Sequence, residues 1–173
     1  MRLLRARGQG TGDFCPGVLS GTCGSAVSET VWEFEHTVEC EAPRDFAWKY
    51  WTNPTNWDDP PARFEFAGPF AVGTRVTTIL PGQTFESVIR EVAPGSSALI
   101  EMNAGGATVR FRWSFSELAA ERAKITQKIT LSGEGAAALL EPAKGLELTV
   151  PDGMKRIAER IARRWMETHS GKS

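Results

Sequence analysis

The sequence predicts an α+β domain in which an antiparallel sheet packs against one long helix near the C-terminus. The helix is indicated by six apolar residues at helical spacing, which place Met154, Ile157, Ala158, Ile161, Ala162 and Trp165 along one stripe. The sheet is indicated by a run of short segments before it, in which apolar and polar residues alternate between Gly and Pro turn signals. A helix of about four turns is marginal alone in water, so it needs such a surface to lie on.

The boundaries of this helix are predicted from its first turn. Pro151 lacks an N–H that the first turn does not need, and Asp152 meets the positive end of the helix dipole. We therefore expect the helix to begin at Pro151, with residues 133–149 forming a lead-in helix bent at Pro142 and Gly145. The face opposite the apolar stripe is expected to be solvated, and it carries Lys155, Arg156, Glu159, Arg160, Arg163 and Arg164.

Composition indicates an ordinary soluble protein. The 173 residues are 41% hydrophobic and 24% charged with a net charge of −1, which lacks the basic excess typical of nucleic-acid binding. No apolar run approaches the roughly 18–20 residues that span a bilayer. Cys15, Cys23 and Cys40 have neither Cys-x-x-Cys spacing nor clustered histidines. We expect no metal, free thiols and a cytoplasmic protein, either a monomer or a homodimer.

Residues 1–28 differ in composition from the rest of the chain. Three arginines, Arg2, Arg5 and Arg7, precede a stretch rich in Gly, Thr and Ser without hydrophobic periodicity, so we expect this segment to be disordered. It lacks the apolar region of a signal peptide. A second hypothesis is that translation begins later, at Val27 or Val31, which the intact mass of the native protein would test. The folded domain is expected to span residues 29–170.

The first element is a strand over residues 31–41 with one acidic face. Trp32, Phe34, His36, Val38 and Cys40 alternate there with Glu33, Glu35, Thr37, Glu39 and Glu41. A short helix is predicted from Pro43 to about Trp51, then a helical turn that follows Asn53-Pro54 and ends at Trp57. Residues 58–61 form a loop.

Six further strands are predicted as an antiparallel meander, since each connection is short. They cover residues 64–66, 74–80, 84–92, 98–103, 109–118 and 123–131, with turns at Gly68-Pro69, Pro81-Gly82, Pro94-Gly95 and Gly105-Gly106. Alternation in the last two strands turns Val109, Phe111, Trp113 and Phe115 to one face, and groups Ile125, Gln127, Ile129 and Leu131 in the same way.

Four local motifs accompany this order of elements. They are APRDFAW at 42–48, WTNPTNW at 51–57, GPFAVGTR at 68–75 and EVAPG at 91–95. Over about residues 31–167 the chain resembles the START/Bet v 1 (SRPBCC) superfamily, specifically its polyketide cyclase/dehydrase-like branch. The resemblance implies the helix-grip fold, β-α-α-β6-α, in which a curved antiparallel sheet of about seven strands wraps around the C-terminal helix and leaves a cavity between them.

Inward-facing side chains are the candidates for lining that cavity, although aromatic residues on an inner face also serve as core. The candidates are Phe34, His36, Phe64, Phe85, Met102, Phe111, Trp113, Gln127, Ile157, Ile161 and Trp165. Trp57 lies in the region that forms the cavity mouth in this superfamily, or it packs beneath that loop as a staple. Asp58 and Asp59 either gate the mouth or belong to a solvated loop.

Two functions from different classes follow. The first is binding of a hydrophobic or aromatic small molecule, lipid-like or polyketide-like, in the cavity. The alternative is a polyketide cyclase/dehydrase-type enzyme in which His36 acts as acid or base; otherwise His36 is a buried residue bonded to Gln127 or a carbonyl. No cofactor is expected, because G-x-S-x-G, P-loop, HExxH and G-x-G-x-x-G motifs do not occur. A third hypothesis is a nearly closed cavity in a fold that serves a protein partner.

Overall fold

The computed structural model of the protein describes residues 29–169. The predictions for residues 1–28, including disorder, a late start and the states of Cys15 and Cys23, lie outside the described residues. Within 29–169 the chain forms seven strands, two α-helices and one 3-10 turn. Their bounds are β1 Thr30–Cys40, α1 Arg44–Trp51, the 3-10 turn Pro54–Asn56, β2 Arg63–Phe66, β3 Arg75–Leu80, β4 Gln83–Ala93, β5 Ser97–Ala104, β6 Ala107–Ala119, β7 Arg122–Ser132 and α2 Ala136–His169.

The strands form one antiparallel sheet in the order β1-β7-β6-β5-β4-β3-β2. The first and last strands in the chain are therefore neighbours, and His36 lies directly opposite Gln127 in their register. This is the helix-grip arrangement: a curved sheet packed around the long C-terminal helix. The predicted second helical turn is the 3-10 turn, which is capped by the Asn53 side chain accepting the Thr55 N–H at 3.1 Å.

The inner face of the sheet and the apolar stripe of α2 form the core. One cluster joins aromatic residues of α1 and β6 to the helix, and it includes Trp48, Trp51, Trp113, Phe115, Met154, Ala158 and Ile161. A second cluster packs the first turns of α2 against β6 and β7 and includes Val109, Ile129, Leu131, Ala136 and Ala143. Both the alternation in β6 and β7 and the predicted stripe of α2 thus point inward.

The predicted first residue of the long C-terminal helix was wrong. α2 begins at Ala136 and runs for 34 residues as one helix, with Pro142 and Pro151 inside it. An interior proline costs about 3 kcal/mol relative to alanine. Burial outweighs this, since each large apolar side chain taken out of water contributes about 1.5–3 kcal/mol. The side chains of this segment that pack on the second cluster are Leu139, Leu140, Leu146 and Val150.

The outer face of the sheet carries cross-strand ion pairs. Glu101, whose side chain is 13% exposed, contacts Arg90 at 3.0 Å and Arg110 at 2.9 Å. Burial alone would raise the pKa of Glu101, but hydrogen bonds from Arg110, Asn103 and Arg90 together lower it. Glu91 pairs with Arg112 on the same face. These carboxylates stabilise the sheet from outside and take no part in its interior.

Candidate functional site

A cavity of about 640 Å³ lies between the inner face of the sheet and α2. Its walls come from the end of α1, the segment from Asn56 to Ala62, strands β2 to β7, and the middle of α2. The apolar and aromatic lining residues include Trp51, Trp57, Phe64, Val76, Leu80, Ile100, Phe111, Trp113, Leu146, Val150, Met154 and Ile157. The volume falls in the range of roughly 300–1,000 Å³ typical of small-molecule sites.

Trp57 is held in place on the wall of the cavity, between α1 and β2. Its indole N–H donates to the Trp51 carbonyl, and its ring centroid lies 5.2 Å from Trp51, 5.4 Å from Phe64 and 5.1 Å from Phe66. The capped 3-10 turn immediately before it sets the direction of the chain. Trp57 therefore both packs against neighbouring aromatic side chains and lines the cavity.

Gln127 is a buried polar residue of the cavity lining, and its hydrogen-bonding groups remain free among residues 29–169. It is 8% exposed, and its side-chain amide makes no hydrogen bond to another residue of the described chain. Ser87, by contrast, donates to the Val76 carbonyl at 3.2 Å. A buried amide that is both donor and acceptor can therefore orient a ligand from the sheet side.

The charged lining residues within the described chain lie together where the exposed Pro60, Pro61 and Arg156 bring the lining to the surface, and we call this end of the cavity the mouth. Asp59 belongs to the loop after the 3-10 turn, and Arg156 and Arg160 belong to α2. Arg156 donates to Asp59 Oδ2 from Nε at 3.2 Å and Nη2 at 2.9 Å. Arg160 Nη1 donates to the Asp58 carbonyl at 2.9 Å. These contacts tie the loop to the helix across one end of the cavity.

The structure places six of the twelve predicted site residues on the cavity lining: Trp57, Phe64, Phe111, Trp113, Gln127 and Ile157. The other six are absent from the lining: Phe34, His36, Phe85, Met102, Ile161 and Trp165. Ile161 is fully buried in the core, and Trp165 packs edge-to-face on Phe46 with centroids 5.1 Å apart. Met102 packs against the second core cluster, and Phe85 is half-buried opposite Thr78.

β1 contributes nothing to the lining because α2 lies directly on it. The Trp32 indole donates to Glu147 at 2.9 Å, and the Cys40 thiol contacts the Ala158 carbonyl at 3.5 Å. His36 stacks on Phe34 with ring centroids 6.4 Å apart, and no hydrogen bond joins its ring to a side chain of the described residues. His36 and Gln127 thus lie opposite each other in the sheet, but only Gln127 lines the cavity.

Arg156 and Arg160 were predicted to belong to a solvated face of the helix, and this was wrong for Arg160, whose side chain is only 26% exposed. At 100° per residue, Arg160 lies on the same flank of α2 as Thr149 and Gly153, next to Ile157. All four line the cavity. Extending the helical wheel by one position beyond the apolar stripe would have predicted this flank from the sequence. Tyr50 also lines the cavity, although it was not among the predicted site residues.

Two further features concern metals and membranes. Within residues 29–169, no three His, Cys, Asp or Glu side chains are clustered so as to hold a metal ion. No helix in that range is sufficiently long and apolar to cross a membrane.

Comparison with known proteins shows the fold. No protein-family model and no curated protein matches the sequence. Norcoclaurine synthase from Thalictrum flavum, solved with dopamine and hydroxybenzaldehyde, superposes with a TM-score of 0.61 at 16% identity over 90% of this chain and 98% of that one. The Zhui aromatase/cyclase from Streptomyces sp. R1128 gives 0.61 at 19% identity, over 77% of this chain and 94% of that one.

Ara h 8.0201 gives a TM-score of 0.57 at 16% identity, over 79% of this chain and 98% of that one. These solved structures confirm the predicted helix-grip fold. Identities this low carry no residue roles from one protein to another, because one fold hosts many functions.

Proposed function

We propose that this protein binds a hydrophobic or aromatic small molecule, lipid-like or polyketide-like, in the cavity between the sheet and α2. The observation that carries the proposal is the cavity itself, about 640 Å³ with mostly apolar and aromatic walls. Burial of apolar ligand surface, at roughly 25 cal/mol per Å², supplies affinity. The unpaired Gln127 amide supplies orientation, because a ligand without a matching polar group would leave it unsatisfied.

An enzyme of polyketide cyclase/dehydrase type is the alternative. Two proteins of the same fold are enzymes by name, a norcoclaurine synthase and an aromatase/cyclase. In this chain His36 belongs to β1, on which α2 packs, and it is not among the residues that line the cavity, which favours binding over acid–base chemistry by that residue. In a His36→Ala variant, a carrier keeps most of its affinity, whereas an enzyme dependent on His36 loses its turnover.

The test uses a position where the cavity can be filled without disturbing the sheet. A Cβ added at Gly153 would meet only Arg156 Nη2, at 3.8 Å, and Gly153 lies in the middle of the cavity-facing flank of α2. A Gly153→Leu side chain therefore has room to occupy the ligand's space. Gly145→Leu is the matched control, since the same helix has nothing within 4 Å of that position.

The full chain is titrated with the neutral fluorophore N-phenyl-1-naphthylamine, and the purified protein is also examined by native mass spectrometry and organic extraction. Affinity for the fluorophore is expected to fall at least about tenfold in Gly153→Leu, equivalent to about 1.4 kcal/mol, and to be unchanged in Gly145→Leu. Equal affinity in both variants, or no binding of the fluorophore together with a clean apo mass, would contradict the proposal.

A further inference from the structure

The charges at the mouth of the cavity do not balance. One carboxylate, Asp59, faces two guanidinium groups, Arg156 and Arg160, and every other lining residue is neutral. Among the lining side chains of the described residues, the cationic groups therefore outnumber the carboxylates by one, although Asp152 also acts on Arg156 from outside the lining.

The surplus belongs to Arg160. Arg156 directs two N–H groups to Asp59 Oδ2, at 2.9 and 3.2 Å. Arg160 Nη1 lies 3.8 Å from Asp59 Oδ1, beyond hydrogen-bond distance, and donates instead to the neutral carbonyl of Asp58. Because Arg156 engages the carboxylate directly, the charge of Arg160 is the less compensated one.

Arg160 is also under-satisfied as a hydrogen-bond donor. Its Nε is buried and has no hydrogen-bond partner among residues 29–169. Native proteins keep few buried polar atoms without partners, and each one calls for an explanation such as strain, a functional role or a bound water, ion or ligand. The guanidinium group is thus poised for a further acceptor.

Arg160 separates two hollows. On the outer side of the mouth is a cleft of about 200 Å³ lined by Tyr50, Arg160, Arg163, Arg164 and Glu167. Tyr50 and Arg160 line both this cleft and the main cavity. Glu167 is 3.1 Å from Arg164, so the charge of the cleft is also net positive. An anion beside Arg160 would experience favourable charge from both sides.

We propose that the ligand is an amphiphilic anion, with an aromatic or aliphatic body inside the cavity and one carboxylate, sulfonate or phosphate group at the mouth, bound by Arg160. This rests on the proposed binding function and adds the chemical class of the ligand. A planar guanidinium matches the geometry of such groups, and its half-buried position strengthens their attraction. A neutral ligand that covered the mouth would leave the charge of Arg160 desolvated and unpaired.

The test compares two probes that share one scaffold. N-phenyl-1-naphthylamine is neutral, and 8-anilinonaphthalene-1-sulfonate adds a single sulfonate; the quantity measured on the full chain is the ratio of their affinities. The ratio of affinities is expected to favour the sulfonate probe. It is expected to fall about tenfold in Arg160→Met, because methionine keeps the length of the apolar stem of arginine and removes its charge. Asp59→Asn is expected to raise the ratio, because it removes the competing carboxylate.

Arg163→Met is the matched control. It removes the same charge from the same helix, but Arg163 lines only the outer cleft and does not line the main cavity, so the ratio is expected to fall much less than in Arg160→Met. Arg160→Lys separates charge from geometry and is expected to recover part of the preference. Circular dichroism and thermal melting of each variant establish that it is folded.

The two proposals fail in different ways. If neither probe binds to protein with a clean apo mass, or if Gly153→Leu weakens the binding of neither probe, the binding function itself is contradicted. If both probes bind in the cavity with a ratio that Arg160→Met leaves unchanged, or that Arg163→Met lowers equally, binding stands and the anionic ligand class assigned to Arg160 is overturned.

Discussion

A glycine before α2 provides a direct test of how the helix is anchored to the sheet. Gly135 lies against the β5–β6 turn, where its N–H donates to the Gly106 carbonyl at 3.2 Å. A Cβ added at Gly135 would lie 1.9 Å from the Gly105 carbonyl oxygen and 2.9 Å from the Ala107 nitrogen. These neighbours are backbone atoms, which cannot rotate away. Gly135→Ala is therefore expected to push the start of α2 off the turn.

The magnitude follows from the two interactions that are disturbed. Overpacking a tight contact costs about 1–3 kcal/mol, and loss of one backbone hydrogen bond costs about 1 kcal/mol more. The free energy of unfolding should therefore fall by about 2–4 kcal/mol. At about 2–4 °C per kcal/mol for a chain of this size, Tm is expected to fall by about 4–16 °C.

Gly145→Ala is the matched control, since it makes the same substitution within the helix. A Cβ at Gly145 has nothing within 4 Å, so only helix propensity changes, and alanine is favoured by about 0.5–1 kcal/mol. Urea unfolding followed by tryptophan fluorescence and by circular dichroism measures both variants, with equal m-values showing that the denatured state is unaltered. The reasoning is refuted if both substitutions shift stability in the same direction.

Two further predictions concern ionisable groups. Burial, and then the charge of the neighbouring Glu41, raise the pKa of Cys40 to about 12. In a variant whose other two cysteines are serine, the thiol should react with Ellman's reagent at neutral pH only as fast as the protein unfolds; prompt reaction would contradict this. Because the pKa of Glu101 is lowered, its carboxylate stabilises the fold above its unfolded pKa of about 4.3, and this contribution is lost as the pH falls below that value. The decrease in Tm caused by Glu101→Gln should thus be smaller at about pH 3 than at neutral pH. As a control, Glu86→Gln at an exposed position should change Tm little at either pH. A decrease in Tm for Glu101→Gln that is the same at both pH values would show that the charge of Glu101 is not its cause.

Periodicity predicted the sheet well because each strand buries only one face. In β6 and β7 the apolar residues occupy every second position, so Phe115 and Ile125 could be assigned to the interior from the sequence alone. The start of α2 could not be predicted in this way. Pro142 and Pro151 are strong local signals for a helix end, and only packing on β6 and β7, which the sequence does not display, overrides them.

The same limit explains why half of the predicted lining lies elsewhere. Phe34 and Phe64 both face inward on edge strands. The alternation of apolar and polar residues along a strand therefore cannot tell which of the two lines the cavity. The helix runs over β1 and buries the surroundings of Phe34, whereas it leaves space above β2, where Phe64 lines the cavity. Which inward residues become core therefore depends on the path of α2 across the sheet, which is a property of the whole fold.

The cavity itself has a physical origin in the sequence, because small side chains lie on both of its walls. The sheet contributes Thr78 and Ser87, and α2 contributes Thr149 and Gly153. Closely packed layers place large side chains against small ones so that the two surfaces interdigitate. Around Ala143, the same helix meets the larger residues of the second cluster and the space is filled. Small residues on both walls therefore leave space that larger side chains would fill, and Gly153 is the position on α2 where a larger side chain is expected to reduce the cavity.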